Sequence, residues 1–297
     1  CACLVGSEMC IRDRWLIRPP MLSEIEDLVC YADVSLQSEM ETVRAINKEC
    51  EKQRKRHKII LMMDLGDIRE GYVDEEELIA AAVETEKLSH VDLYGIGTNL
   101  TCFSFIQADE EKMERLAEMR RKVENAAGHT LEIVSGGNSA ALDLMMRGGI
   151  CEGIDSFRLG ESLLFGKERS RYTFLPGTRN DGFILECEVV EAKVKPSLPW
   201  GTTGVDSYGR KPVFTNRGEK RKKVICAIGR QDFDAETTTP VDEGILILGA
   251  SSDHLILDVT DSVKEYKVGD IVELRLGYFS VLRAFTSPYV EKIFLKK

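Results

Sequence analysis

Two kinds of apolar pattern alternate along the first half of this chain. Short continuous apolar runs, such as residues 58–63, are typical of parallel strands buried on both faces. Between them lie longer stretches in which apolar residues recur at every third or fourth position, the spacing of an amphipathic helix. The longest of these stretches places its apolar residues at Met113, Leu116, Met119 and Val123. The pattern predicts strand–helix units that build a parallel sheet.

About six strand–helix units fit between Trp15 and Gly166, which points to an α/β fold of the (β/α)8 TIM-barrel type. Such a barrel closes with eight units, so we expect an incomplete barrel, with its first two units encoded ahead of Trp15. The predicted strands are 15–20, 34–36, 58–63, 91–96, 131–134 and 156–159, and the predicted helices are 23–31, 38–56, 74–87 and 109–127.

After Gly166 the pattern changes to alternating apolar and polar residues separated by turn residues. This alternation predicts a mainly β domain at 177–297, following a barrel domain at 15–176. The predicted strands of the β domain are 183–190, 224–228, 245–248, 255–259 and 271–276.

Residues 1–14, CACLVGSEMCIRDR, do not fit the pattern that follows them. They begin without Met, hold three of the nine cysteines and resemble translated sequencing-adapter sequence. We interpret them as a non-native segment; a genuine irregular N-terminal arm is the alternative.

Composition narrows the class of protein. A hydrophobic content of 43% and a charged content of 30% are those of a soluble globular protein. The formal net charge of −10 argues against nucleic acid or an anionic membrane as partner. No apolar run approaches the roughly 20 residues of a bilayer span, and no signal peptide is apparent. The cysteines lack the CxxC spacing of a zinc site, so we expect a cytoplasmic protein without a metal centre.

The most informative stretch is 130–166, where two predicted strands each run into a tight turn and a helix. The turns are Ser135-Gly136-Gly137-Asn138-Ser139 and Gly160-Glu161-Ser162. A helix start presents unpaired N–H groups and a partial positive charge, so two starts side by side form a cradle for a phosphate. The hydroxyl of Ser139 lies where an N-cap or a phosphate donor is expected. The simpler alternative is two capped helices with no ligand.

Four segments carry a resemblance to a known family. SGGNSAA at 135–141 followed by FRLGESLLFG at 157–166 resembles the cofactor end of the fold-type III pyridoxal-phosphate racemases, the alanine racemase family, and within it the ornithine racemase branch. DLGDIREG at 64–71 resembles the family's D-x-G-x-x-R-x-G loop, and SSDHLILDVTD at 251–261 resembles part of its C-terminal β domain. The resemblance covers almost the whole chain from Trp15 onward.

The resemblance implies a binding site for pyridoxal 5'-phosphate. In the family, the Asn-Ser pair and the backbone after Arg-x-Gly hold the phosphate, and these roles fall on Asn138, Ser139, Gly160 and Glu161. The Arg of that motif faces the pyridine nitrogen, and its match here is Arg158. An always-charged guanidinium beside this nitrogen disfavours protonation of the ring and makes it a weaker electron sink.

Two further positions follow from the same resemblance. Asn99, in GTNLTCF, matches the His that stacks on the cofactor ring in alanine racemases, and this form of the motif is that of the ornithine branch. Arg69 matches the Arg that binds the substrate carboxylate, a task that suits a planar guanidinium. The alternative for Arg69 is an ion pair with an acidic neighbour. The family also implies a homodimer.

The chain departs from the family pattern at the two residues that act as catalytic bases. The lysine that binds the cofactor covalently lies on the family's first barrel strand, which would precede Trp15, and Lys48 stands in an unrelated helical context. We therefore expect the polypeptide as given to be inactive and the complete gene product to be active. Arg230 stands where the family has the Tyr that serves as second base, and because a guanidinium is a poor base at neutral pH, Asp232 and Tyr208 are the candidates for this role.

The expected function is a pyridoxal-phosphate-dependent racemase that interconverts L- and D-amino acids by moving the Cα proton. Met62, at the position of a modified lysine in many alanine racemases, argues against strict use of alanine. One alternative is a D-amino-acid lyase, whose C-terminal metal site the lone His254 does not match. A pyridoxal-phosphate homeostasis protein is disfavoured by the β domain. A barrel that binds another phosphorylated metabolite is the remaining alternative.

Overall fold

The computed structural model describes residues 13–205 and 209–295. The chain divides into two compact units, one ending at Pro176 and the other beginning at Gly177. Among the described residues, no helix is both long enough and apolar enough to cross a bilayer.

The first unit contains a parallel sheet of six strands, in which each strand pairs with its neighbour in sequence. The strands are β1 (Trp15–Leu16), β2 (Val34–Gln37), β3 (His57–Met63), β4 (Val91–Thr98), β5 (Ile133–Asn138) and β6 (Ser156–Arg158). The helices are α1 (Ile25–Tyr31), α2 (Met40–Gln53), α3 (Glu75–Thr85), α4 (Glu110–Ala127), α5 (Leu142–Met146) and α6 (Glu161–Phe165), with 3-10 turns at Leu22–Glu24 and Ser139–Ala141. The predicted α/β rhythm is confirmed.

The two faces of the sheet pack differently. Ile59, Leu61 and Met63 join the large core that includes the helices, while Ile60 and Met62 face a smaller apolar cluster on the opposite side. Burial on both faces explains the continuous apolar run of β3, because successive side chains of a strand point to opposite faces. The predicted core positions of α4 are all buried, namely Met113, Leu116, Met119 and Val123.

Helix boundaries follow from local chemistry. The carboxylate of Asp74 accepts hydrogen bonds from the amides of the first turn of α3, and Asp109 does the same for α4. Helix α2 is shorter than predicted because Arg54 has a left-handed φ of 54°, which ends the helix.

The second unit contains a six-stranded antiparallel sheet in the order β10-β11-β8-β7-β12-β9. Its strands are β7 (Ile184–Pro196), β8 (Lys220–Cys226), β9 (Thr238–Pro240), β10 (Leu246–Ala250), β11 (Leu255–Asp258) and β12 (Ile271–Leu276), followed by helix α7 (Tyr278–Thr286). The mainly β character is confirmed, but β9 and α7 were not predicted. Strand β9 is three residues long and ends in Pro, so it carries little alternation.

A buried polar chain connects β2 and β3 in the first unit. Nε2 of His57 lies 2.8 Å from the hydroxyl of Ser35, which accepts a hydrogen bond of 2.7 Å from the side-chain Nε2 of Gln37. All three side chains are buried. Burial lowers the pKa of His57 to about 4, because the charged imidazolium is poorly solvated there.

We expect His57 to make the fold acid-sensitive. Its folded pKa lies below its unfolded value of about 6.5, so the unfolded chain binds the extra proton and stability falls as the pH drops from about 6.5 towards 4. Urea unfolding should show the His57→Gln variant losing less stability than the wild type between pH 7 and pH 5, by about 2 kcal/mol.

His129 provides the control for this experiment. It is more exposed, and the Thr130 carbonyl and the Glu86 carboxylate raise its pKa, which is the opposite direction of shift. The His129→Gln variant should therefore not show a reduced loss of stability in acid. Equal pH dependence of wild type and His57→Gln would contradict the prediction.

Candidate active site

Polar side chains gather where strands β3 to β6 end. The carboxyl ends of neighbouring parallel strands lie at one edge of a sheet, so residues far apart in sequence meet there. The residues in question are Asp64, Asp67, Arg69 and Glu70 after β3, Thr98 and Asn99 at β4, Ser135, Asn138 and Ser139 at β5, and Arg158 and Gly160 at β6.

Arg158 lies at the centre of this cluster. Its Nη2 donates hydrogen bonds to the Thr98 carbonyl at 2.7 Å and to Oδ1 of Asn99 at 2.9 Å, and its Nη1 donates to the hydroxyl of Ser135. Burial lowers the pKa of Arg158 to about 10, while the nearby carboxylate of Glu70 acts in the opposite direction. The guanidinium therefore stays charged at neutral pH and is fixed in one orientation.

The segments predicted as two turns lie beside each other, but residues 135–138 of the first belong to strand β5, which is longer than predicted. Oγ of Ser139 accepts hydrogen bonds of 3.2 Å from the amides of both Gly160 and Ser162, and it lies 3.1 Å from the Ser162 hydroxyl. Of the two roles expected for the Ser139 hydroxyl, that of N-cap of its own turn is wrong, and that of phosphate donor stays a prediction. The carboxamide of Asn138 caps this turn, accepting from the amide of Ala140 at 2.8 Å, because the chain enters the 3-10 turn one residue earlier than expected.

This donor set fits a phosphate ester. Two backbone amides and the hydroxyls of Ser139 and Ser162 converge on one small volume, and Ser139 Oγ now takes the hydrogen bonds that an anionic oxygen would accept. A carboxylate beside them, that of Glu161, lies 3.5 Å from Arg169, and burial raises its pKa. A role for Gly160 and Glu161 in phosphate binding stays a prediction.

The loop after β3 is built around Asp64. Its carboxylate accepts hydrogen bonds from the amides of Gly66 at 2.8 Å, Ile68 at 3.2 Å and Arg69 at 3.1 Å. Gly71 closes the loop with φ at +131°, and a Cβ there would lie only 2.6 Å from the Asp64 nitrogen. These contacts explain why the loop needs Asp at its first position and Gly at its last.

Arg69 forms an ion pair with its neighbour Glu70. Nε of Arg69 lies 2.7 Å from Oε2, and Nη2 donates to Oε1 at 2.9 Å, so the pair is bidentate. The alternative expected from the sequence, an ion pair with an acidic neighbour, is therefore present. Binding of a substrate carboxylate by Arg69 stays a prediction.

Glu70 also links the two arginines. Its Oε1 accepts a hydrogen bond of 2.5 Å from Nδ2 of Asn99, whose Oδ1 accepts from Arg158. Asn99 is buried and connects Glu70, the partner of Arg69, with Arg158. Sequence reasoning missed Glu70, although a carboxylate next to the predicted carboxylate-binding Arg was a visible signal.

Other candidate bases belong to the second unit. Arg230 donates to the Ala250 carbonyl at 2.8 Å, and the buried carboxylate of Asp232 accepts from the Ser287 hydroxyl at 2.6 Å. Both contacts support the fold of the β domain. Nδ1 of His254 lies 3.0 Å from Asp253, and Tyr208 lies outside the described residues.

Met62 is fully buried in the smaller apolar cluster of the first unit.

The parallel sheet with its polar carboxyl edge, followed by an antiparallel β domain, places the chain in the barrel class of α/β proteins. The chain belongs to the alanine racemase family, because the family model described as "Alanine racemase, N-terminal domain" matches residues 8–168. It is 46% identical to the ornithine racemase of Acetoanaerobium sticklandii over 279 residues, which are 94% of this chain and 79% of that protein.

A second relative and a solved structure agree with this placement. The lysine racemase of Thermotoga maritima is 40% identical over 279 residues, which are 94% of this chain and 77% of that protein. An alanine racemase structure from Clostridium difficile superposes with a TM-score of 0.62 at 20% identity, covering 88% of this chain and 66% of that one. The fold expected from the sequence is therefore confirmed.

We expect Asp67 to hold the loop after β4 in place. Its buried carboxylate accepts hydrogen bonds from the amides of Cys102, Phe103 and Ser104 at 3.0 to 3.1 Å. The Asp67→Ala variant would leave these amides without their acceptor and should lower the free energy of unfolding by about 2 kcal/mol. Urea denaturation measures this loss, and hydrogen exchange should become faster at residues 102–104.

Asp92 is the control for Asp67, because it is an exposed carboxylate paired with the side chain of Arg56. The Asp92→Ala variant should lose clearly less stability, since exposed ion pairs contribute little. A loss in Asp67→Ala no larger than that in Asp92→Ala would contradict the assigned role.

Proposed function

We propose that this chain carries the cofactor and substrate site of a pyridoxal-phosphate-dependent racemase that acts on a basic amino acid of the ornithine type. The observation that carries the proposal is the convergence of the Gly160 and Ser162 amides on Ser139, with the fixed guanidinium of Arg158 at the same edge of the sheet. The similarity to an ornithine racemase and a lysine racemase supports the choice of substrate.

Cofactor binding is divided between two groups of residues. The amides that now donate to Ser139 would hold the phosphate, together with the Ser139 hydroxyl and the side chain of Asn138. Arg158 would face the ring nitrogen. A guanidinium donates hydrogen bonds and cannot accept them, so the atom it faces must act as the acceptor and stays unprotonated. When bound, pyridoxal phosphate delocalises the charge left on Cα after its proton is removed.

Substrate binding is assigned to Arg69 and its partners. The guanidinium presents a planar pair of donors, Nε and Nη2, that already holds a carboxylate, that of Glu70. The α-carboxylate of an amino acid has the same shape and charge, so it can make the same bidentate contact. We further propose that the protein acts in the cytoplasm as a homodimer.

The cofactor assignment predicts a specific loss of affinity. The Ser139→Ala variant should bind pyridoxal 5'-phosphate about tenfold more weakly, because one hydroxyl in a charge-assisted hydrogen-bond set is removed. An absorbance titration measures this affinity, and inorganic phosphate should compete with the cofactor. The Ser89→Ala variant, whose Ser89 lies in the loop before β4, should bind the cofactor as the wild type does.

Racemisation is tested on the protein expressed from its complete gene. Incubation with L-ornithine, L-lysine, L-alanine or L-serine, followed by chiral chromatography, should show D-ornithine or D-lysine forming fastest. Mass spectrometry of the released cofactor should identify pyridoxal 5'-phosphate. A different phosphorylated metabolite, or no D-amino acid from any of the four substrates, would contradict the proposal.

A further inference from the structure

Glu70 differs from the other carboxylates at the carboxyl edge of the sheet in what it binds. Asp64 accepts hydrogen bonds from three backbone amides of its own loop, and Asp67 accepts from three backbone amides of the loop after β4. These contacts are part of the loop structure, and Asp67 lies farther from Nε of Arg69, at 4.0 Å, than Glu70 does. The partners of Glu70 given above are the side chains of Arg69 and Asn99, which can reorient without unfolding a loop.

The Glu70 carboxylate occupies the place that a substrate carboxylate would take. It engages Nε and Nη2 of Arg69 with both oxygens, at 2.7 and 2.9 Å. A bidentate fork of this kind accepts one carboxylate at a time. If the α-carboxylate of a substrate takes the Nε and Nη2 donors of Arg69, Glu70 must therefore give up this contact.

After this exchange, Glu70 would remain within the site. Its Oε1 is held by the Asn99 amide at 2.5 Å, and its side chain is only 11% exposed. A carboxylate that is largely shielded from water and has lost its cationic partner costs free energy. A neutral substrate leaves that cost in place, whereas a substrate with a second ammonium group supplies a new partner.

We propose that Glu70 is the specificity-determining residue of this site: it occupies Arg69 before substrate binds and then receives the distal ammonium group of a basic amino acid. This inference rests on the proposed function, since it assumes that Arg69 binds the substrate. It selects against neutral amino acids as well as for basic ones, because only a cation compensates the displaced carboxylate.

The test compares two amino acids that differ in the distal ammonium group. L-Ornithine and L-norvaline have the same carbon chain, and only L-ornithine carries a second amine. Titration calorimetry of the cofactor-loaded protein should show tighter binding of L-ornithine to the wild type. In the Glu70→Gln variant, L-ornithine should bind more weakly and L-norvaline more tightly, so that the ratio of their dissociation constants changes by about tenfold or more.

Two variants serve as controls. Glu70→Asp keeps the negative charge and should retain most of the preference for L-ornithine. Glu84→Gln removes a carboxylate from a comparable bidentate pair, with Arg44 at 2.6 and 2.9 Å between helices α3 and α2, and should leave the ratio unchanged.

Several results would overturn the inference. An equal loss of affinity for both amino acids in Glu70→Gln would mean that Glu70 only positions Arg69. An unchanged ratio, or failure of the wild type to bind L-ornithine, would also overturn it. Titration of pyridoxal 5'-phosphate into the same preparations distinguishes a failure of the proposed function from a failure of the role assigned to Glu70. Failure of the wild type to bind the cofactor overturns the proposed function as well, whereas normal cofactor binding with an unchanged ratio overturns only the role of Glu70.

Discussion

The guanidinium of Arg158 ties together three strands of the parallel sheet at their carboxyl ends. It extends from β6 to the Thr98 carbonyl of β4 and to the Ser135 hydroxyl of β5. A half-buried cation is stable only when its donors are satisfied, so these acceptors and the Asn99 side chain fix the guanidinium. The orientation of Asn99 in turn places its amide on Glu70. The geometry of the polar edge thus depends on one half-buried charge.

The strands and helices that the sequence predicted well have clear local signals in the chain. Strands β3 and β4 were found because continuous apolar runs are typical of doubly buried strands, and α3 and α4 because Asp74 and Asp109 are strong N-caps. The grouping of Ser139 and Arg158 at one edge followed from the rule that consecutive parallel strands end side by side. The strand predictions depend on apolar residues repeated along the chain, whereas each helix start depends on a single Asp.

The structural features that the sequence could not predict depend on single contacts. The capping of the turn by Asn138 was decided by a shift of one residue, and the clamp of Asp67 on residues 102–104 joins two loops that are distant in sequence. Helix α7 was missed although its sequence is amphipathic, because the residues it buries, Ser280 and Ala284, are small and the apolar Val281 is only partly buried. The other two features follow from three-dimensional placement and leave no periodic trace.

The two arginines of the site show how the surroundings give the same type of side chain different properties. The partners of Arg158 are two neutral side chains and a backbone carbonyl, and these acceptors are fixed by the sheet and by neighbouring turns. Such partners hold a guanidinium in place, which suits the ring-facing role proposed for Arg158. Arg69, with a side chain that is 41% exposed, is paired with the carboxylate of Glu70 instead. A ligand carboxylate can take the same two donors only by displacing Glu70, so the proposed specificity of this arginine depends on the free energy of that exchange.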